Sequence, residues 1–120
     1  MTSQEKGQRL LNEISPGSVE RLTEMFKDVC PDLATMIASF PYGSVYTRDG
    51  LDLKTREMIT IASLVTLGFP KDQLRVHIQN ALNVGCTQVE IVETILQMSV
   101  YAGFPAAVSA MIVAKEIFQK

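Results

Sequence analysis

The sequence predicts an all-α fold of six to seven helices, on three observations. Apolar residues recur at helical spacing along almost the whole chain, and no stretch shows the apolar–polar alternation that is typical of a half-buried strand. Glycines and prolines separate segments of helix length, where each can end one helix or begin the next. The length of 120 residues suits a single domain over residues 1–120.

Three helices and a loop are predicted for the N-terminal part of the chain. The first two helices cover residues 4–13 and 18–29, and a third begins after Pro31. The stretch 41–50 holds one proline, two glycines and two tyrosines, and it is predicted to be the one long irregular segment. Segments of this kind often carry functional residues.

Capping signals define the next two helices. Asp52 is a good N-cap for a fourth helix that ends at Gly68, where a glycine suits the C-terminal cap. Apolar residues occupy every side of this helix, so it is predicted to lie in a core or between subunits. A fifth helix is predicted to begin at Pro70 and to close at Gly85.

Two more helices complete the predicted fold. Thr87 and Glu90 form a capping-box pattern that opens a sixth helix over residues 88–102. Pro105 opens the seventh helix, whose alanines allow close packing: Ala106, Ala107, Ala110 and Ala114.

Composition and charge exclude several functional classes. With 13 acidic residues, 11 basic residues and no cluster of Lys and Arg, nucleic acid is not an expected partner. The uncharged stretch 94–114 is interrupted by Gly103 and Pro105, so no membrane span is predicted. The polar N-terminus lacks the apolar segment of a secretory signal, and we expect a cytoplasmic protein. So short a chain with 47% apolar residues is expected to share apolar surface with copies of itself.

His77 is the only histidine, and its position has two interpretations. Leu74, His77 and Ile78 follow helical spacing, which places the imidazole on the apolar stripe of the fifth helix. The ring is either a core histidine bonded to a backbone carbonyl or a catalytic group. A metal site is not expected, because one histidine and two scattered cysteines offer no ligand spacing.

Glu57 begins the apolar part of the fourth helix, on a face that Ile61 and Leu64 continue. A carboxylate directed toward apolar surroundings needs a partner, because an unpaired buried charge is costly. The alternative is an exposed Glu57 that pairs with Lys54, Arg56 or the positive end of the helix dipole. Taken alone, the pattern favours this alternative.

Three further side chains are candidates for function. Cys86 precedes the cap Thr87, so its thiol is either made reactive by a helix N-terminus or is a small buried group. Cys30 and Cys86 are the only cysteines, which excludes a disulfide framework. Gln97 and Tyr101 are neighbours on one face of the sixth helix and either line a pocket or contact solvent.

Three segments of the sequence carry a family resemblance. They are LDLKTRE at 51–57, a stretch over 73–91 that includes RxH at 75–77 and GCTxxE at 85–90, and QMxVYAGFPAA at 97–107, where x is any residue. Together they resemble the carboxymuconolactone decarboxylase family, within the wider alkyl hydroperoxidase D-like superfamily. The resemblance covers about residues 31–118 and leaves residues 1–30 as an N-terminal helical extension.

The resemblance implies an all-helical subunit that assembles into rings, typically homohexamers, with an active site around His77 and Glu57. In the redox branch of the superfamily, cysteines stand seven and four residues before this histidine; here Pro70 and Gln73 stand there. Peroxidase chemistry then lacks its thiols, which favours the decarboxylase branch. A thiol redox protein that uses Cys86 and a non-enzymatic ligand-binding oligomer are the alternatives.

The decarboxylase branch implies a small carboxylated lactone from the breakdown of aromatic compounds as substrate, and no cofactor. Its site must stabilise the developing negative charge and supply a proton. His77, oriented by Glu57, is expected either to stabilise that charge or to deliver the proton, while Arg56 or Arg75 holds the substrate carboxylate. Some decarboxylases of the family carry a further histidine near the position of Gln97. The hypothesis predicts Glu57 and His77 within hydrogen-bond reach of each other, beside a pocket.

Overall fold

The computed structural model describes all 120 residues and contains helices but no strand, which confirms the all-α class. The chain divides into two units, Met1–Leu51 and Asp52–Lys120, and the organisation as one domain with a 31–118 family core stays a prediction. The elements are α1 (Ser3–Ile14), α2 (Ser18–Phe26), α3 (Leu33–Ile37), a π-helical segment (Ala38–Val45), α4 (Leu53–Leu67), α5 (Lys71–Asn83), α6 (Gln88–Ala102) and α7 (Phe104–Phe118).

Two glycines allow α1 and the π-helical segment to pack closely within the N-terminal unit. A Cβ atom on Gly7 would overlap the carbonyl oxygen of Ala38, and a Cβ atom on Gly43 would overlap the carbonyl oxygen of Ser3. Any larger side chain at either position would therefore force the two elements apart.

The prediction of an irregular loop over residues 41–50 is wrong for its first half. Residues up to Val45 form the π-helical segment, and the N–H of Tyr46 donates to the carbonyl of Pro41 at 2.8 Å. Proline ordinarily ends an α-helix, because it lacks an N–H and its ring clashes with the preceding turn. The wider π turn accommodates it. Tyr42 is buried and packs against Tyr46, with ring centroids 4.8 Å apart, so the tyrosines contribute to packing.

Three helix caps of the C-terminal unit are those that the sequence predicts. Asp52 accepts a hydrogen bond from the N–H of Thr55 at 2.8 Å. Gly68 ends α4 in the left-handed conformation, with φ of 83°. Thr87 and Glu90 form the complete capping box at the start of α6. Each of these signals is local and needs no tertiary partner, which is why sequence alone is enough to find them.

The core of the C-terminal unit lies among its four helices. α4 packs against α5 and α6, and α7 packs against the same two helices. Three of the alanines predicted to allow close packing of α7 are buried, while Ala106 is half-buried. The larger core side chains are Ile61, Val65, Leu74, Ile78, Ile91, Ile95, Val113 and Ile117.

Apolar side chains also remain on the surface of this unit. α4 leaves Ile59 and Leu67 more than half exposed, so one chain alone does not bury this helix on every side. α6 and α7 expose a further set, which we call the exposed apolar residues of α6 and α7: Leu96, Val100, Tyr101, Phe104, Val108 and Ile112. None of the helices combines the length and the apolar character that crossing a membrane requires.

Candidate active site

α4 and α5 bring Glu57 and His77 together. The short turn from Gly68 to Pro70 joins the two helices, which pack against each other as a hairpin. Nδ1 of His77 lies 3.0 Å from Oε2 of Glu57. The Glu57 side chain is fully buried, and that of His77 is 15% exposed. The predicted hydrogen-bond reach between the two side chains is therefore confirmed.

Helical spacing explains the burial of Glu57. Glu57, Ile61 and Val65 are four residues apart along α4, and all three are 2% exposed or less. The alternative of an exposed Glu57 is therefore wrong. The sequence could not decide this point, because the partner that makes a buried carboxylate tolerable lies twenty residues away on another helix.

The second carboxylate oxygen of Glu57 has no hydrogen-bond donor. Oε1 is buried, so water does not solvate it either. A buried carboxylate needs a polar partner, and the imidazole of His77 is the one that the fold supplies. Nδ1 faces Glu57, so the pair does not occupy Nε2 of the ring.

The two arginines proposed to bind a substrate carboxylate have different surroundings. Arg75 donates to Asp72 at 2.9 Å and to Glu116 at 3.1 Å, and the hydrogen bond with Glu116 raises the pKa of its guanidinium. Two carboxylates of the protein therefore already bind this guanidinium. Arg56 is half-buried on α4. The roles of both arginines stay predictions.

Gln97 and Tyr101 lie on the surface of α6, whereas Glu57 and His77 are on α4 and α5. Both side chains are exposed, Tyr101 by 77%. Within one chain they contact solvent, and their role in substrate binding stays a prediction.

The thiol of Cys86 has the surroundings of a structural residue. It is buried, and its Sγ donates to the carbonyl of Lys54 at 3.6 Å. Burial, reinforced by the negative charge of Glu90, raises the pKa of this thiol, which is opposite to the activation that a helix N-terminus would give. Cys30, in the N-terminal unit, is half-buried, and neither cysteine is in a disulfide.

Lys54 makes a contact that the motifs do not indicate. Its Nζ lies 3.3 Å from Oε1 of Glu90, at the start of α6. One signal in the sequence points to such a contact. A lysine in the first turn of a helix is disfavoured by the helix dipole, so its charge benefits from a carboxylate elsewhere in the fold.

Three cavities of the structure have linings that exclude His77 and Glu57. One of about 650 Å³ lies between α1 and α2, one of about 400 Å³ between α6 and α7, and one of about 10 Å³ among α4, α5 and α7. The predicted pocket beside the pair is not among these three. No group of three or more His, Cys, Asp or Glu side chains is placed to hold a metal ion.

Known decarboxylases are similar to this chain. A 4-carboxymuconolactone decarboxylase of Acinetobacter baylyi is 42% identical over 101 residues, which are 84% of this chain and 75% of the relative. A nitrosuccinic acid decarboxylase of Metarhizium robertsii is 35% identical over 81 residues, which are 68% of this chain and 56% of the relative.

The similarity extends along most of the chain. An uncharacterized 15.0 kDa protein of Paracoccus denitrificans, from the nqo9-nqo10 intergenic region, is 30% identical over 115 residues, which are 95% of this chain and 86% of the relative. The model of the carboxymuconolactone decarboxylase family matches residues 31–116, a range that includes both Glu57 and His77. The chain therefore belongs to the carboxymuconolactone decarboxylase family.

Proposed function

We propose that this protein is a cofactor-free decarboxylase of a small carboxylated lactone from the breakdown of aromatic compounds. The observation that carries the proposal is the fully buried Glu57 with Oε2 3.0 Å from Nδ1 of His77. The relative from Acinetobacter baylyi is named for 4-carboxymuconolactone, which supports this class of substrate. The nitrosuccinic acid decarboxylase supports loss of a carboxylate as the common reaction.

The pair meets the chemical demands of such a reaction. The bond between carbon and carboxylate breaks, carbon dioxide leaves, and the electron pair delocalises onto the lactone carbonyl as an enolate. The Nε2–H of a protonated His77 stabilises that oxyanion by hydrogen bonding and then delivers its proton to the carbon. A proton from solvent restores the ring.

Glu57 has two roles in this proposal. Its Oε2 holds Nδ1 of the ring, so that Nε2–H keeps one direction. Its negative charge offsets that of the imidazolium at a site from which water is largely excluded, since the carboxylate is fully buried. The pair therefore exposes a proton donor while carrying no net charge.

We also propose that the substrate pocket is completed in a homohexamer, where a neighbouring chain covers the exposed edge of His77. The exposed apolar residues of α6 and α7, with Gln97 beside them, offer an uncharged surface of the kind that the buried centre of an interface requires. Analytical ultracentrifugation of the active protein tests this assembly. A monomer with full activity would contradict it.

Substitution of the pair tests the proposed reaction. Purified protein receives 4-carboxymuconolactone or nitrosuccinic acid, and the release of carbon dioxide is measured. His77→Gln removes the proton donor, so kcat is expected to fall about 10²- to 10⁴-fold. Glu57→Gln keeps a hydrogen-bond acceptor but removes the charge, and a smaller loss of kcat is expected than in His77→Gln.

Gln79→Ala is the control, because Gln79 is exposed on α5, the helix that carries His77. Turnover at the wild-type rate in His77→Gln would exclude the mechanism.

A ligand-binding oligomer without turnover is a second candidate, favoured by the three cavities that His77 does not line. It predicts calorimetric binding of the lactone with no release of carbon dioxide. A thiol redox protein is less favoured, because burial raises the pKa of the Cys86 thiol. That alternative requires a peroxide reductase activity that Cys86→Ala abolishes.

A further inference from the structure

Lys54, in the first turn of α4, is held at three points by the segment that follows α5. Its Nζ lies 3.3 Å from Oε1 of Glu90. Its carbonyl oxygen accepts a hydrogen bond from the thiol of Cys86 at 3.6 Å. Its side-chain stem lies beside Gly85, where a Cβ atom would be 3.8 Å from Cδ of the lysine. The start of α4 is thereby attached to the turn that follows α5 and to the first turn of α6.

The position of this attachment relates it to the active site. Lys54 is three residues before Glu57, so the two side chains leave α4 on the same side, one turn apart. At its other end, the hairpin of α4 and α5 is closed by the turn at Gly68–Pro70. The contact between Glu57 and His77 lies between these two points. The register of α4 against α5 is thus fixed on both sides of the catalytic pair.

The capping box orders the side chain of Glu90, which faces Lys54. Its Oε1 accepts a hydrogen bond from the N–H of Thr87 at 2.8 Å while it faces Lys54. The hydrogen bond from Thr87, together with the neighbouring lysine, lowers the pKa of this carboxyl group. Because the cap already orders the carboxylate, binding Lys54 costs less side-chain entropy than an ordinary surface ion pair does.

We propose that Lys54 is a positioning residue for the proposed decarboxylation. Its contacts hold the start of α4 against residues 85–90, which follow directly on α5. It thereby sets the register of α4 against α5, and hence the position of Glu57 relative to His77. Lys54 itself contacts neither the imidazole nor the substrate in this proposal. The inference rests on the proposed function, in which a small displacement of a catalytic group has a large effect on rate.

Kinetics of matched variants test the proposal. Lys54→Met keeps the stem and removes the charge, and Glu90→Gln keeps an acceptor for Thr87 and removes the charge. Each variant is expected to lower kcat about three- to fivefold with KM within about twofold, and the double variant to lose no more than either single one. Lys54→Arg is expected to restore kcat.

Lys27→Met is the matched control, because it breaks an exposed ion pair of 2.6 Å with Glu24 on α2. It is expected to leave kcat unchanged. An unchanged kcat in Lys54→Met, additive losses in the double variant, or a raised KM with unchanged kcat would each overturn the proposal.

A spectroscopic measurement separates this proposal from the proposed function. His77 is the only histidine, so the nitrogen-15 NMR signals of its ring need no assignment by mutation. Lys54→Met is expected to move the Nδ1 signal toward that of Glu57→Gln, and Lys27→Met to leave it in place. If the wild-type protein lacks turnover, a moved Nδ1 signal still supports the positioning role. An unmoved signal in Lys54→Met overturns that role whatever the activity.

Discussion

Two side chains of α5, His77 and Arg75, each pair with a glutamate of another helix, and they differ in their exposure to water. His77 meets Glu57 of α4 at 3.0 Å, where the two side chains are 15% and 0% exposed. Arg75 meets Glu116 of α7 at 3.1 Å, where they are 37% and 50% exposed. The distances are almost equal, so distance does not distinguish the pairs. Burial does.

The difference in exposure to water indicates what each pair does. Water screens the pair of Arg75 and Glu116 and solvates either partner if the other is removed. No water reaches the carboxylate of Glu57, so its desolvation is compensated only by the imidazole. A buried ionic pair contributes little to stability compared with apolar side chains of the same size. Its presence in the core of a small helical unit therefore supports the proposed role in decarboxylation better than a role in stability.

Removal of one partner is expected to distinguish the pairs most strongly. His77→Ala leaves the Glu57 carboxylate buried without a partner, so the free energy of unfolding is expected to fall by about 3 kcal/mol. Arg75→Ala leaves two carboxylates that water already reaches, and a much smaller loss is expected. Urea unfolding followed by circular dichroism measures both. Equal losses would show that burial does not distinguish the two pairs.

Replacement of both buried partners sharpens the comparison. In the double variant Glu57→Met and His77→Leu, apolar side chains of similar volume fill the same space. The free energy of unfolding is expected to return to within about 1–2 kcal/mol of the wild-type value or to exceed it, while turnover is abolished. A double variant as unstable as His77→Ala would instead show that the pair stabilises the fold.

The acid dependence of stability tests a third pair, Lys54 with Glu90. The hydrogen bond from the N–H of Thr87, followed by Lys54, lowers the pKa of Glu90 from its ordinary value of 4.5. The unfolded chain then binds this proton at higher pH than the folded chain does. The stabilisation is therefore present above pH 4.5 and is lost as the pH falls through the lower folded value.

Glu90→Gln measures this contribution directly. The Tm of the variant is expected to lie below that of the wild type at pH 7. The two values are expected to converge as the pH falls below 4.5, because a protonated Glu90 resembles the amide. A difference in Tm that stays constant down to pH 3 would contradict the assignment. Glu24→Gln, in the exposed pair with Lys27, serves as the control.

Local signals in the sequence predict most of the C-terminal unit but only part of its site. Asp52, Gly68 and the capping box at Thr87 each act within one turn of chain, so the ends of α4 and the start of α6 follow from them. Pro41 leads to the wrong prediction of a loop, because the local rule is that a proline ends a helix. The π turn that accommodates Pro41 depends instead on packing, which the local rule does not include.

The sequence pattern does not show which side chains of different helices contact each other. The stripe of α5 places His77 correctly, and the family resemblance selects Glu57. The sequence of α4 alone favours an exposed carboxylate, because Lys54, Arg56 and the helix dipole offer local partners. Only the packing of α4 against α5 shows that Glu57 is buried and that the imidazole is its partner. The contact of Lys54 with Glu90 is of the same non-local kind.

The smallest expected effect is that of salt on the surface pair of α5. Glu116→Gln removes one of the two carboxylates that face Arg75 and leaves Asp72 in place. At low ionic strength the fall in Tm is expected to be less than a quarter of that caused by His77→Ala. In about 1 M sodium chloride, where charges are screened beyond about 3 Å, wild type and variant are expected to have the same Tm.

The fall in Tm caused by His77→Ala is expected to persist in the same salt, because ions do not enter the space around a fully buried carboxylate. If salt removed both differences equally, the pair of Glu57 and His77 would behave as a surface pair, and burial would not suit it to catalysis.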